Sequence, residues 1–159
     1  VKAREHLEKM LEAAKTGGYT TGGNEYLVRT YIELEEIEKA KKMIDNLYEW
    51  ALQIRNVEQI SIADALRGMQ FRAEKKWQES IDHFEKRLKL CEEINLRQWW
   101  AYDYAYYLVE YARVYLERDQ EGDRERAHKL LDEALEIFQK IGAKGEIEKI
   151  IAKKKLLTA

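Results

Sequence analysis

The chain has no proline, one cysteine and only eight glycines in 159 residues. Without proline, and with so little glycine, it lacks the turn punctuation that a β-sandwich or barrel requires. A single cysteine, Cys91, excludes an internal disulfide framework and a thiolate metal cluster. Neither sign of charge dominates: 28 basic residues against 30 acidic ones give a formal net charge of −2. That balance removes the simplest electrostatic basis for binding nucleic acid or an anionic membrane. Long hydrophobic runs are missing too. The most apolar stretch, Trp99 to Val109, is interrupted by Asp103 and falls far short of the ~20 residues a membrane-spanning helix needs. The N-terminus mixes acidic with basic residues, so no secretory signal is expected there. A helix-like pattern that begins at Val1 suggests an excised or processed chain.

What is present is hydrophobic residues, 45% of the chain, and charge, 36%. The first suits a packed core, and the second exceeds the usual quarter or so. An all-α, cytoplasmic protein is expected. Apolar residues recur at three- and four-residue spacing almost throughout. Ala3, Leu7, Met10, Leu11 and Ala14 form a leading stripe over 1–15. A glycine-rich loop over 16–23 follows, holding half of the glycines, with Asn24 as N-cap of a helix to about Leu34. The next stripe is Ile37, Ala40, Ile44, Leu47, Ala51, Ile54, with Asn56 or Asn56-Val57 marking the end of its helix, and then a helix from about Glu58 to Ala73 carries Ile60, Ala63, Leu66 and Phe71. After a turn at Lys75–Lys76 come Trp77, Ile81, Phe84, Leu88 and Cys91, ending at Asn95. One long helix is expected from Leu96 to Arg118. Asp123 would cap the next, which carries Ala127, Leu131, Ala134 and Phe138 and ends before Gly142. A last amphipathic helix over 146–157 makes eight, joined by short loops.

Three helix pairs share a pattern. Val28, Gly68 and Ala112 are each followed three residues later by an aromatic, Tyr31, Phe71 or Tyr115. Nine residues beyond the first two aromatics stands a small residue, Ala40 or Ser80; beyond Tyr115 the gap is twelve, to Ala127. Four residues after each small residue is a large apolar one: Ile44, Phe84, Leu131. Small residues let paired helices approach closely, and an aromatic fills the gap between them. This pattern resembles the tetratricopeptide repeat, best in Gly68-Met69-Gln70-Phe71 leading to Trp77, Ser80 and Phe84. The family's proline is missing, Asn24, Asp64 and Leu108 replace its first tryptophan, and the spacing of Ala40, Ser80 and Ala127 exceeds the family's repeat length. The resemblance implies one domain, a right-handed solenoid of antiparallel helix pairs: a leading helix 1–15, repeats 21–56, 58–95 and 96–142, and a capping helix 146–157. The segment from Gly122 to Lys144 is similar to the last repeat of long-repeat solenoids in multidomain signalling ATPases and cyclase- or transcription-linked regulators.

Little in the sequence points to chemistry. His6, His83 and His128 share no helix with another ligand at metal spacing, and Cys91 lies in an apolar stripe, so neither a metal site nor a nucleophile is expected. The acidic residues alternate with basic ones as solvated faces. Gly17-Gly18 and Gly22-Gly23 precede no Gly-Lys-Ser/Thr, so no phosphate loop is formed. Lys153–Lys155 complement a helix C-terminus. The anomaly is aromatic: eight of the chain's seventeen aromatics lie between Trp99 and Tyr115. Trp100, Tyr104, Tyr107, Tyr111 and Tyr115 make one core stripe. Trp99, Tyr102, Tyr106 and Arg113 lie beside it. By the resemblance these four, with Arg29, Met69 and Arg72, would line a concave face, and aromatics and Arg dominate binding hot spots.

The expected function is therefore a non-catalytic scaffold that binds a protein or peptide partner, without cofactor, metal, nucleic acid or membrane. The alternative is a regulatory sensor or oligomerisation segment of a larger signalling ATPase, cyclase or transcription regulator. Two further expectations follow. The carboxylate clamp of some tetratricopeptide domains is not assembled, since Glu25, Arg29, Ala65 and Met69 occupy its places. The apolar stripe of the leading helix, with Leu7, Met10 and Leu11, lacks a polar cap and would support a homodimer through the N-terminal edge.

Overall fold

The computed structural model describes Lys9 and residues 21–158. Every element named below is a helix: α1 (Thr21–Glu33), α2 (Ile37–Gln53), α3 (Val57–Ala73), α4 (Trp77–Glu93), the single turn α5 (Leu96–Trp99), α6 (Ala101–Arg118), α7 (Asp123–Ile141) and α8 (Lys144–Thr158). The protein is all-α, and eight helices stand among the described residues. The tally is composed differently from the expected one. Apart from Lys9, which is helical, the leading helix over 1–15, with the dimer edge assigned to it, lies outside the described residues, and the expected helix 96–118 is two helices.

Two compact units are formed, one up to Lys76 and one from Trp77 onward. In the first, α1, α2 and α3 pack on one another around Val28, Ile32, Ala40, Ile44, Ala51 and Leu66. In the second, α6 packs against α4 and α7, α8 covers α7, and α5 touches α4 and α6. Its core is Phe84, Tyr107, Leu108, Leu131, Ala134, Phe138 and Ile150. Each large side chain so buried contributes about 1.5–3 kcal/mol relative to exposure. Ala40, Ser80 and Ala127 are all fully buried, as their smallness at repeated positions requires.

The helices end alike. Glu35, Arg55, Lys75 and Asn95 all have positive φ, between 53° and 61°, and stand twenty residues apart. At the first three the N–H of the next residue bonds to the carbonyl five positions back: Glu36 to Tyr31, Asn56 to Ala51, Lys76 to Phe71, each at 2.9 Å. The left-handed residue itself donates to the carbonyl three back, which completes a Schellman turn. Gly142, with φ 72°, closes α7 by the same pair of bonds. Tyr31, Phe71 and Tyr115 each stand four residues before a left-handed residue, the last being Asp119 at φ 49°. Two of the three extra residues of the third pair fall in the turn Asp119–Gly122, and the third at the start of α7.

Four sequence expectations are corrected. The glycine-rich loop does not extend to Gly23: α1 starts at Thr21, so Gly22, Gly23 and Asn24 are helical and Asn24 is not the N-cap. Burial of Leu27, Val28, Tyr31 and Ile32 anchors this helix, which outweighs glycine's cost of about 1 kcal/mol in a helix. Asn56 does not end α2; it caps α3, its side chain accepting from the Gln59 N–H at 3.0 Å. Asp123 does not cap α7: Gly122 holds that position, and the Asp123 carboxylate turns back to the end of α6. Finally, Trp100 breaks the long helix, with φ −124° and ψ 46°. At this boundary α5 touches both α4 and α6; no glycine or proline marks it.

Candidate binding surface

Of the residues expected to line a partner face, three belong to the first unit. Arg29 is partly buried on α1 and ion-paired with Glu25 one turn earlier. Arg72 is buried at the end of α3 and faces Glu33 of α1 at 4.0 Å. Met69 is only 1% exposed and is a core residue. Almost every side of α3 is covered, its polar Ser61, Asp64 and Gln70 included. Gln70 accepts from Arg67 at 2.8 Å and donates to Glu74 at 2.7 Å. A methionine at a helical position therefore signals surface less well than the family pattern implied.

The other four belong to the second unit and lie near the start of α6 or along it. Trp99 closes α5 and is 81% exposed, more than any other large hydrophobic residue among the described ones. Tyr102 is 47% exposed, and its ring stands edge-on to Phe138 of α7, centroids 5.4 Å apart. Tyr106 is half-buried, edge-on to the ring of Tyr107 at 5.2 Å. Arg113 is half-buried too and bridges Glu110 at 3.1 Å and Glu117 at 3.6 Å along α6. Trp99 and Tyr102 thus offer open surface, while Tyr106 and Arg113 are engaged on their own helix.

Two residues are added. Trp100, expected in the core stripe, is 48% exposed because the helix breaks there, and Ile94 at the end of α4 is 39% exposed. The rest of the stripe, Tyr104, Tyr107, Tyr111 and Tyr115, is buried as expected. A signal for the break was available. Val28 and Gly68 are forty residues apart, but Gly68 and Ala112 are forty-four. The excess of one helical turn is α5, inserted where α2–α3 and α3–α4 pass directly through a three-residue turn.

Along α6 and at its far end the unit holds buried polar contacts. Burial pushes the Tyr104 hydroxyl up to about 12. It stays protonated and points at Glu133 of α7, 3.4 Å away, which also receives Arg97 at 2.9 Å. Burial raises Tyr111 as well; its hydroxyl lies 2.8 Å from that of Tyr115 and 3.3 Å from Glu85. Asp123, fully buried, accepts from Arg118 at 2.8 and 2.6 Å, from the Gln120 N–H and from Arg126. Chiefly through Arg118, its carboxyl is held at about 2.

Cys91 is buried. Among the described residues no group of His, Cys, Asp and Glu could hold a metal ion, and no helix is long and apolar enough to cross a membrane. No protein-family model matches the chain, and no curated protein and no solved structure matches it.

Proposed function

We propose that the chain is a non-catalytic module that binds a protein or peptide partner through the aromatic corner formed by Ile94, Trp99, Trp100 and Tyr102. A tetratricopeptide-like frame carries it. The observation behind this reading is the exposure of Trp99 beside two half-exposed aromatics, on a turn that the other helix connections lack. Exposed tryptophan costs a free protein apolar surface in water, and contiguous patches of this kind mark interaction sites. Trp and Tyr supply large contact areas with few torsions to order, so they dominate hot spots. The regular twenty-residue spacing of the helix ends supports the repeat frame. Such a frame presents a preformed surface, which keeps the ordering cost of binding low.

The test is affinity capture from the native cell extract with the whole chain as bait. Proteins retained by the wild type should be lost from Trp99→Ala and from Tyr102→Ala, and kept by Lys129→Ala, a change at an exposed site on α7. Far-UV circular dichroism should be the same for all four. Equal retention by wild type and Trp99→Ala would remove the reading.

A further inference from the structure

Several aromatic rings of this protein have a cation over them. In the second unit Arg87 lies over Tyr107 at 4.2 Å, Arg97 over Tyr104 at 5.4 Å, and Arg118 and Arg126 over Tyr115 at 5.3 and 5.7 Å. In the first, Lys39 lies over Tyr31 and Lys76 over Phe71. Tryptophan has the best ring for such a contact. Yet among the described residues no cation or stacking ring lies on the indole of Trp99 or Trp100.

The charge in the flanking sequence is mainly acidic. From Cys91 to Asp103 the chain carries Glu92, Glu93 and Asp103 against a single cation, Arg97. Arg97 is committed to Glu133 at 2.9 Å and to the ring of Tyr104. Outside this stretch Lys140 is committed to Glu136 at 2.6 Å, and Lys89 stands 4.0 Å from Glu93. Glu92 and Glu93 are both exposed. Both stand in the last turn of α4, the helix that α5 touches.

We infer that the corner receives a cationic partner segment, one whose Lys or Arg side chains lie on the indoles of Trp99 and Trp100 with Glu92 and Glu93 as counter-charges. This deepens the binding reading above and rests on it. An aromatic face holds the aliphatic stem and the charged head of such a side chain together. Carboxylates at the edge favour cationic partners over acidic ones and speed their encounter. An acidic segment would meet like charge at Glu92 and Glu93.

The test uses the full chain and a fluorescein-labelled, end-blocked dodecapeptide of alternating Arg and Ala, read by anisotropy at fixed ionic strength. The Glu-Ala peptide of the same length is the control. The basic peptide should bind and the acidic one should not. Trp99→Ala with Trp100→Ala should weaken binding about tenfold, Trp99→Tyr should restore part of it, and Glu92→Gln with Glu93→Gln should weaken it severalfold. All these side chains are exposed or half-exposed, and a melting curve for each variant confirms folding. Absence of basic-peptide binding would overturn the inference, as would binding indifferent to the tryptophans. If the extract capture depends on Trp99 while the Glu→Gln pair leaves it unchanged, the binding reading stands and the cationic partner falls. Self-association of the chain that Trp99→Ala abolishes would assign the corner to a second copy, again against it.

Discussion

Single residues at the turns carry opposite kinds of tension. Glu35, Arg55 and Lys75 hold left-handed backbone that non-glycine residues adopt at a cost of roughly 1–2 kcal/mol. Glycine would relieve that cost but give back part of it as unfolded-state entropy. Lys75→Gly, at an exposed turn, should therefore stabilise the chain by about 0.5–1 kcal/mol, read as a higher denaturation midpoint at unchanged slope. Asp123 is the reverse case, a strained charge made favourable by its partners. Its carboxyl is lowered from an ordinary 3.8 to about 2, with Arg118 the main cause. A depressed folded-state value means stability that is present above the unfolded value and lost as pH falls through the folded one. The interaction should contribute about 2 kcal/mol above pH 5 or so and fade between about pH 4 and 2. Urea melts of Asp123→Asn should show that deficit at neutral pH and a much smaller one near pH 2. A constant deficit would mean that the carboxylate's charge is not what matters there.

At the scale of elements, caps and close contacts decide where helices start and how near they lie. The Asn56 side chain satisfies an N–H that the first turn of α3 would otherwise leave open. Asn56→Ala should cost about 1 kcal/mol, and a thermal melt with no detectable shift would show that water substitutes for it. Ala127 is fully buried on α7, the helix that packs most closely with α6. Ala127→Leu should overpack that contact and cost ~1–3 kcal/mol. A loss below about 0.5 kcal/mol, typical of neutral surface sites, would mean the small residue is not there for close approach. The inserted turn α5 acts at the same scale: it takes Trp100 out of the core stripe and leaves it beside Trp99 at a helix junction.

Across the whole molecule, regularity and departure from it do different work. Four helix ends in register at twenty-residue intervals and three helices of 17 residues each form a repeated frame. The departures are the one-turn insertion before α6 and the longer turn before α7. The first carries the exposed aromatics, and the second holds the buried Asp123 cluster. The cationic-partner inference concerns the first departure, where the frame supplies rigidity and the insertion supplies surface.

By itself the sequence determined the all-helical class, the stripes centred on Ile44, Phe84 and Leu131, the small buried positions Ala40, Ser80 and Ala127, and the turns at Lys75, Asn95 and Gly142. These follow from local physics: a 3.6-residue period, the volume of one side chain, and a backbone reversal completed within six residues. Only the tertiary structure decided that Gly22 and Gly23 are helical, that Met69 and Arg72 are buried, that Asp123 turns back to Arg118, and that the helix breaks at Trp100. The burial of Met69 and Arg72 and the helical glycines depend on which helix covers a residue, and the Asp123 contact and the break at Trp100 on how neighbouring helices meet at a turn. Periodicity states that a face is apolar, but burial from the remaining directions, as around α3, and the point at which packing outweighs helix continuity are properties of the assembled unit.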